Sequence, residues 1–327
     1  MKYKAIIIGA GNKGCLSDAP GTGNESKFLS YAHAIKEHPG FAGFHIYDRD
    51  ESKIITAAKA WGITTMMCRS WQSYIACYPI DIAIVATPDE THYEILKQLA
   101  EYPLKLVICE KPICTDLGQA REIIDLYKSI NIPLAIDYTR RFIPYWQEAK
   151  AEIDTGKAGK FLKGYCYFNR GTLHTLSHFT DLALWFIGNM DNIIVQEVPT
   201  DYRWVFQWGM FYENEFYSEH AVNFAKNPNV DNIYDKHLWH VMNNAFEFLE
   251  GRQKLLCTGE DALLALEECY KFMGQLYYHK FISITKRCKK CNKNFKRTHG
   301  NQIMCPECKK TYHRDFMKNK RMKNRRN

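Results

Sequence analysis

The feature that most restricts the fold stands at the start of the chain, where the apolar run Ala5-Ile6-Ile7-Ile8 passes directly into Gly9-Ala10-Gly11-Asn12-Lys13-Gly14. Consecutive β-branched residues predict a strand buried on both faces, which belongs in a parallel sheet covered by helices. The GxGxxG spacing then predicts a tight turn whose glycines let the backbone approach a pyrophosphate. Amides past the turn point at anionic oxygens. Glycine-rich turns end many strands, so the motif draws its weight from context: a strand before it, and strand and helix signals alternating after it.

That alternation runs through the first 140 residues. A polar loop, Ser17 to Glu25, follows the turn, and a helical pattern runs from Ser26 to Lys36. The segment Gly43 to Asp48 reads as a strand ending in a carboxylate placed to accept hydrogen bonds from an adenosine ribose. Asp48 lies 34 residues past Gly14, against about 20 in the usual fingerprint, and the polar loop accounts for most of the excess. A ribose role for Asp48 selects NAD, while the adjacent Arg49 leaves NADP open. A helix from Glu51 to Trp61, closed by Gly62, precedes the apolar strand Asp81 to Ala86, which ends at Thr87-Pro88. A helix from near Thr91, a strand Leu104 to Cys109, Glu110-Lys111-Pro112, a helix Asp116 to Ser129 and a strand Pro133 to Ile136 complete the series. The rhythm specifies an α/β fold with a doubly wound parallel sheet, and its ligands sit at the carboxyl ends of the strands. Lys111 falls at such an end, where a buried cation needs a partner or a ligand.

The chain of 327 residues is 46% hydrophobic, enough to bury two domains and an appendage. The apolar run before Gly9 is too short for a signal peptide, and no stretch approaches about 20 apolar residues. A soluble, cytoplasmic protein with no membrane contact is therefore expected. Eight of the twelve cysteines are scattered and read as reduced thiols.

With these marks together the chain resembles the Gfo/Idh/MocA oxidoreductases, which include glucose-fructose oxidoreductase and inositol dehydrogenase. The resemblance rests on the GxGxxG turn, Ala86-Thr87-Pro88 to His92, Glu110-Lys111-Pro112, Tyr138 to Pro144, His178-Phe179-Thr180-Asp181 and Gly259 to Leu263. It covers roughly residues 3 to 275. It implies a Rossmann domain followed by an α/β domain with an open sheet, NAD or NADP between them, and sugars, polyols or sugar nucleotides as substrates. Residue by residue, it implies cofactor contacts at Gly9, Gly11, Asn12, Lys13, Gly14, Asp48, Thr87, Pro88, His92, Glu110 and Lys111. Lys111 would touch both nicotinamide and substrate, and His178 would accept the proton. The chemistry agrees, since oxidising a secondary alcohol needs a base for the hydroxyl proton and a fixed cation beside the developing alkoxide.

His174, His178 and Asp181 fall at i, i+4 and i+7, on one polar face of a helix that continues through Leu182 and Phe186 to Gly188. Many relatives carry aspartate at the position of His174. An imidazole offers no permanent negative charge to hold Lys111 cationic, so the base and its orienting group, His174 and Asp181 included, are open to a different arrangement. A metal pair of His174 and His178 is set aside, because the resemblance explains the spacing. Tyr138 and Arg141 are candidates to line a substrate pocket, Arg141 by binding a carboxylate or phosphate; a strut role fits them equally. His92 reads equally as a packing residue. The aromatic run Tyr202 to Tyr217, with Trp204, reads as sheet core, and the second domain has room only for a reduced sheet, so the family's sheet-mediated homo-oligomer is not assumed.

The composition changes at Lys286. From there to the end stand 16 basic and 2 acidic residues, leaving the preceding body with 28 basic and 34 acidic. The basic balance is a property of the tail. Within it Cys288-Lys289-Lys290-Cys291 and Cys305-Pro306-Glu307-Cys308 form two CxxC pairs 13 residues apart, the spacing of a structural zinc ribbon in a reducing compartment. A basic ribbon suits nucleic-acid phosphates or an acidic protein surface. Phe295, Tyr312 and Phe316 read as its small core. The expected division is 1–140 dinucleotide domain, 141–285 substrate domain and 286–327 zinc ribbon. The expected activity is an NAD(P)-dependent dehydrogenase; the alternative is a non-catalytic NAD(P) sensor that binds nucleic acid or a protein through its tail.

Overall fold

The computed structural model describes residues 2–63, 70–198, 205–218, 233–288, 291, 293–296 and 307–308. The chain divides into two compact units, Met1–Tyr270 and Lys271–Asn327. The first unit begins with β1 (Tyr3–Ile8), α1 (Tyr31–Glu37), β2 (Phe41–Tyr47), α2 (Glu51–Trp61), α3 (Trp71–Cys77), β3 (Ile82–Val85), α4 (His92–Leu99), β4 (Leu106–Glu110), α5 (Leu117–Ser129) and β5 (Leu134–Asp137). The five strands pair in parallel in the order β2-β1-β3-β4-β5. Every residue of β3, β4 and β5 is buried, as runs apolar on both faces require. The order reverses between β1 and β3, which opens a crevice at the carboxyl ends of the strands beside the glycine turn.

The turn depends on its glycines. Gly9 has φ +109, and a Cβ there would lie 2.4 Å from the Ala86 carbonyl oxygen. A Cβ on Gly14 would lie 1.8 Å from the Gly9 carbonyl oxygen. Past the turn the chain makes one wide helical turn, Asn12–Leu16. The helix expected from Ser26 begins only at Tyr31. Buried Asp18 accepts from the amides of Leu29 and Ser30, from the Ser30 hydroxyl and from His33 Nδ1, which pins this stretch as a loop. Ser30 then caps the helix by accepting from His33 N.

The rest of the unit comprises α6 (Pro144–Asp154), β6 (Phe161–Phe168), α7 (Ser177–Ile187), β7 (Ile193–Glu197), β8 (Phe206–Tyr212), β9 (Phe216–Ser218), α8 (His237–Leu249) and the start of α9 (Gly259–Ile284), whose residues past Tyr270 belong to the second unit. A second, mixed sheet runs β7-β6-β8-β9, with β6 and β7 parallel and the other pairs antiparallel. Phe206, Trp208, Met210 and Tyr212 turn inward, and Trp208 packs on Trp146 with centroids 5.2 Å apart. These four are sheet core, as expected, while Phe216 is 41% exposed; Tyr202 and Trp204 lie outside the described residues. In the second unit β10 (Thr285–Arg287) pairs antiparallel with β11 (Asn294–Lys296).

Gly14→Ala is expected to lower the free energy of unfolding by about 2–3 kcal/mol or more, since the clash is with backbone rather than a movable side chain. Urea denaturation checks this, and an unchanged midpoint would contradict the geometry of the turn.

Candidate functional site

The crevice holds a cavity of about 390 Å³ lined by Gly9, Gly11 and Lys13 of the turn, by Tyr47 at the end of β2 with Asp48 and Arg49 just after it, by Lys53 of α2, and by Ala86, Thr87 and Pro88 after β3. This is the size of a small-molecule site. A Cβ added to Gly11 would meet nothing within 4 Å, so the turn presents bare backbone to open space. That is the cradle a pyrophosphate needs. Asp48 braces the cradle as well as facing the cavity: its Oδ2 accepts from Ala10 N at 2.9 Å and its Oδ1 from Asp50 N at 3.0 Å. Carboxylate oxygens keep further lone pairs for a ribose. Asn12, within the turn, is exposed.

The strands β3 and β4 end side by side, and His92 ties the two turns that follow them. Its Nδ1 lies 2.8 Å from Pro112 O and its Nε2 2.9 Å from Thr87 O. His92 is fully buried, so it reaches the cavity through the turns it holds. The turn after β4 contains a cis Lys111–Pro112 peptide. Lys111 is 9% exposed, and its Nζ donates to the His174 carbonyl at 2.9 Å, with His174 Nδ1 at 3.5 Å. Burial pushes the ammonium's pKa down, and Glu110 and then Asp89 pull it back.

Asp89 is the residue that sequence reasoning missed. Its Oδ2 lies 3.6 Å from His174 Nδ1, so a carboxylate does stand near Lys111, although it comes from the turn after β3 and not from position 174. The available signal was local: Asp89 follows Thr87-Pro88 and opens the helical turn leading to His92, a place usually read as a helix cap.

His174 sits on a wide turn, Thr172–Leu176, just ahead of α7, which breaks the single helical face expected for His174, His178 and Asp181. His178 packs edge-on against Tyr138 at 6.1 Å and Phe206 at 6.3 Å. Its Nδ1 is buried without a hydrogen-bond partner among the described residues. Burial holds its pKa well below the ordinary histidine value, and the Lys111 ammonium adds to the effect. The imidazole is therefore neutral near pH 7, and it lies within electrostatic reach of Lys111.

Asp181 and Arg141 face each other instead of the cavity. Arg141 Nε donates to both Asp181 oxygens at 3.0 and 3.1 Å, with Asp261 3.1 Å from its Nη1. Both residues are buried, 5% and 1% exposed, and the guanidinium lies over the Trp185 ring. Tyr138, 1% exposed, is likewise enclosed. The geometry makes this trio an anchor for α7.

In the second unit Cys288 and Cys291 sit in the connection between β10 and β11, and Cys288 N donates to Lys293 O at 2.9 Å. The sulfurs of Cys288, Cys291 and Cys308 all lie within 4.8 Å of one another. Thiolates around one zinc stand about 3.8 Å apart for Zn–S near 2.3 Å, so small shifts would close them on an ion. Cys305, the fourth expected ligand, lies outside the described residues, as do Tyr312 and Phe316.

Residues 21–138 match the model of the Gfo/Idh/MocA oxidoreductase family, NAD-binding Rossmann fold. An uncharacterized oxidoreductase of Schizosaccharomyces pombe is 27% identical over 163 residues, half of this chain and 44% of that protein. The scyllo-inositol 2-dehydrogenase (NAD(+)) of Bacillus subtilis is 32% identical over 88 residues, 26% of this chain and 25% of its own length. The chain thus aligns with less than half the length of these relatives. Its fold is similar to that of the myo-inositol 2-dehydrogenase of Lactobacillus plantarum, with a TM-score of 0.68 at 15% identity, over 85% of this chain and 98% of the other. Among the described residues no helix is long and apolar enough to cross a membrane.

Glu110, buried at the end of β4 opposite Asp137, has its pKa pushed by burial from 4.5 up to about 7, against the pull of Lys13. A carboxyl whose folded pKa is raised contributes stability that is full below about 4.5 and is lost as pH rises through about 7. Glu110→Gln mimics the protonated form and does not titrate. Wild type is therefore expected to lose stability relative to the variant between pH 4.5 and about 7, read by denaturation at each pH. Parallel stability curves would contradict a buried, strained carboxylate.

Proposed function

We propose that this protein is an NAD-dependent dehydrogenase that oxidises a secondary alcohol of a polyol or sugar-type substrate, or reduces the matching ketone. The observation that carries this is the meeting of Lys111, from the end of β4, with the turn that leads into His178, beside a cavity built for a dinucleotide. When bound, the nicotinamide supplies the acceptor or donor of the hydride. The residues of the chain manage the proton and the charge. His178, held neutral by its burial, takes the hydroxyl proton as the carbonyl forms. Lys111 stabilises negative charge on the same oxygen, and its place is fixed by the His174 carbonyl and the Asp89 carboxylate. Arg141, Asp181 and Tyr138 keep α7 in position and do not touch the substrate. Asp48 in the cavity supports NAD over NADP, because a 2′-phosphate beside a carboxylate is repelled.

The names of the inositol dehydrogenases among the relatives support a polyhydroxylated substrate class. We keep the division into residues 1–140, 141–285 and 286–327 as part of this proposal, supported by the separate first and second sheets and the cysteine-bearing tail. In the tail Cys288, Cys291, Cys305 and Cys308 hold a structural zinc, which requires a reducing compartment such as the cytoplasm. The basic residues around it, with a net of +14 from 16 basic and 2 acidic groups, suit nucleic-acid phosphates or an acidic protein surface.

Two measurements test this. Absorbance of the reduced nicotinamide is followed with a panel of inositols, sugars and sugar nucleotides. Lys111→Met and His178→Asn are each expected to lower kcat by about 10²–10⁴, and turnover untouched by both would refute their roles. Metal analysis of the purified chain is expected to return one zinc per chain, lost in Cys288→Ser. Stoichiometric free thiols at 288, 291 and 308 with no bound metal would contradict the tail site.

A further inference from the structure

Lys13 stands in the glycine turn, lines the dinucleotide cavity, and places its Nζ 2.9 Å from Nε2 of His237, the first residue of α8. The other ring nitrogen fixes the direction of this bond. His237 Nδ1 lies 2.7 Å from the Tyr234 carbonyl, which can only accept, so Nδ1 carries the hydrogen and Nε2 offers its lone pair to the ammonium. Burial, and after it the Lys13 charge, holds this imidazole at about 4. It is neutral under ordinary conditions. A neutral acceptor positions an ammonium without cancelling its charge, and among the described residues no carboxylate forms an ion pair with Lys13.

The post that carries His237 is itself fixed to the loop beyond the glycine turn. Phe28 N donates to Asp235 O at 2.5 Å, Leu238 N donates to Phe28 O at 3.3 Å, and Lys27 pairs with Asp235 at 3.6 Å. Two segments more than 200 residues apart in sequence are thus clamped so that a cation with no ion-pair partner among the described residues faces the cavity where Gly11 presents bare backbone. We propose that His237 holds the Lys13 ammonium in place as the counter-charge for the dinucleotide's pyrophosphate, which makes cofactor affinity depend on the docking of α8. This rests on the dehydrogenase reading. It adds to the backbone amides of the turn a charged contact supplied by a residue of the turn and aimed by a positioning residue outside the Rossmann sheet.

The test measures binding and needs no substrate. Dissociation constants for NADH, ADP-ribose and adenosine are determined on the full chain for wild type, Lys13→Met and His237→Phe at several salt concentrations. Lys13→Met is expected to weaken NADH and ADP-ribose about tenfold, the loss of one charge-assisted hydrogen bond, and to flatten their salt dependence. His237→Phe, with the ammonium present but unaimed, is expected to weaken both severalfold and keep the salt dependence. Adenosine, which has no phosphate, should bind all three alike. Wild-type affinity for ADP-ribose in Lys13→Met overturns the proposal and leaves the dehydrogenase reading standing. Lys13→Met weakened but His237→Phe equal to wild type removes the role of His237. A wild-type chain that binds neither NADH nor ADP-ribose overturns both readings together. His237 is buried, so its variant is checked for folding by circular dichroism, and Lys13→Met decides the matter of the charge alone.

Discussion

An ammonium group enters a protein interior only if something compensates for the water it leaves, and Lys111 imposes that condition on the whole first unit. Its partners come from separate parts of the fold. β4 supplies Glu110, the turn after β3 supplies Asp89, and the turn before α7 supplies the His174 carbonyl. Each is held by its own fixture. His92 joins the turns after β3 and β4 through Thr87 O and Pro112 O, and the Arg141–Asp181 pair anchors α7. The same burial that makes Lys111 demanding keeps His178 neutral. The meeting of these polar groups at this edge of the sheet is therefore a consequence of how the two sheets are joined.

The parallel sheet was legible because both its faces are covered. Ile82–Val85 and Leu106–Glu110 read as uninterrupted buried runs, and the glycine turn admits no other residue at Gly9 or Gly14. The second sheet was less so. β6 carries Tyr165 and Tyr167 on one face and Cys166 and Phe168 on the other, so the polar and apolar alternation that marks a half-exposed strand is blurred. Helix starts were misplaced where a buried side chain outweighed propensity, as Asp18 does in holding residues 29 and 30 out of α1.

Within the site, residue type was informative and partnership was not. Arg141 and Asp181 have the chemistry of ligand-binding residues, but nothing in a linear pattern shows that, 40 residues apart, they are bonded to each other. Asp89 carries the reverse lesson. An aspartate after Thr87-Pro88 resembles any helix-opening residue until the fold brings His174 to it. The same is true of His237, whose helix has an ordinary apolar stripe of Leu238, Val241, Met242 and Ala245, and whose contact with Lys13 depends on long-range packing. The family model matches residues 21–138, which hold most of the parallel sheet, and the second sheet, α8 and the cysteine-bearing tail lie outside that match.

The convergence of Lys111 and His178 on one reacting oxygen is most directly tested by a crystal structure of the chain with NADH. The expected result is a pyrophosphate on Gly11 and a nicotinamide whose reactive face is open to a pocket bordered by Lys111 Nζ and the His178 ring, with room for a carbinol within about 3.5 Å of both. A dinucleotide bound with its nicotinamide turned away from these two groups, or a glycine turn that carries no pyrophosphate, would contradict it.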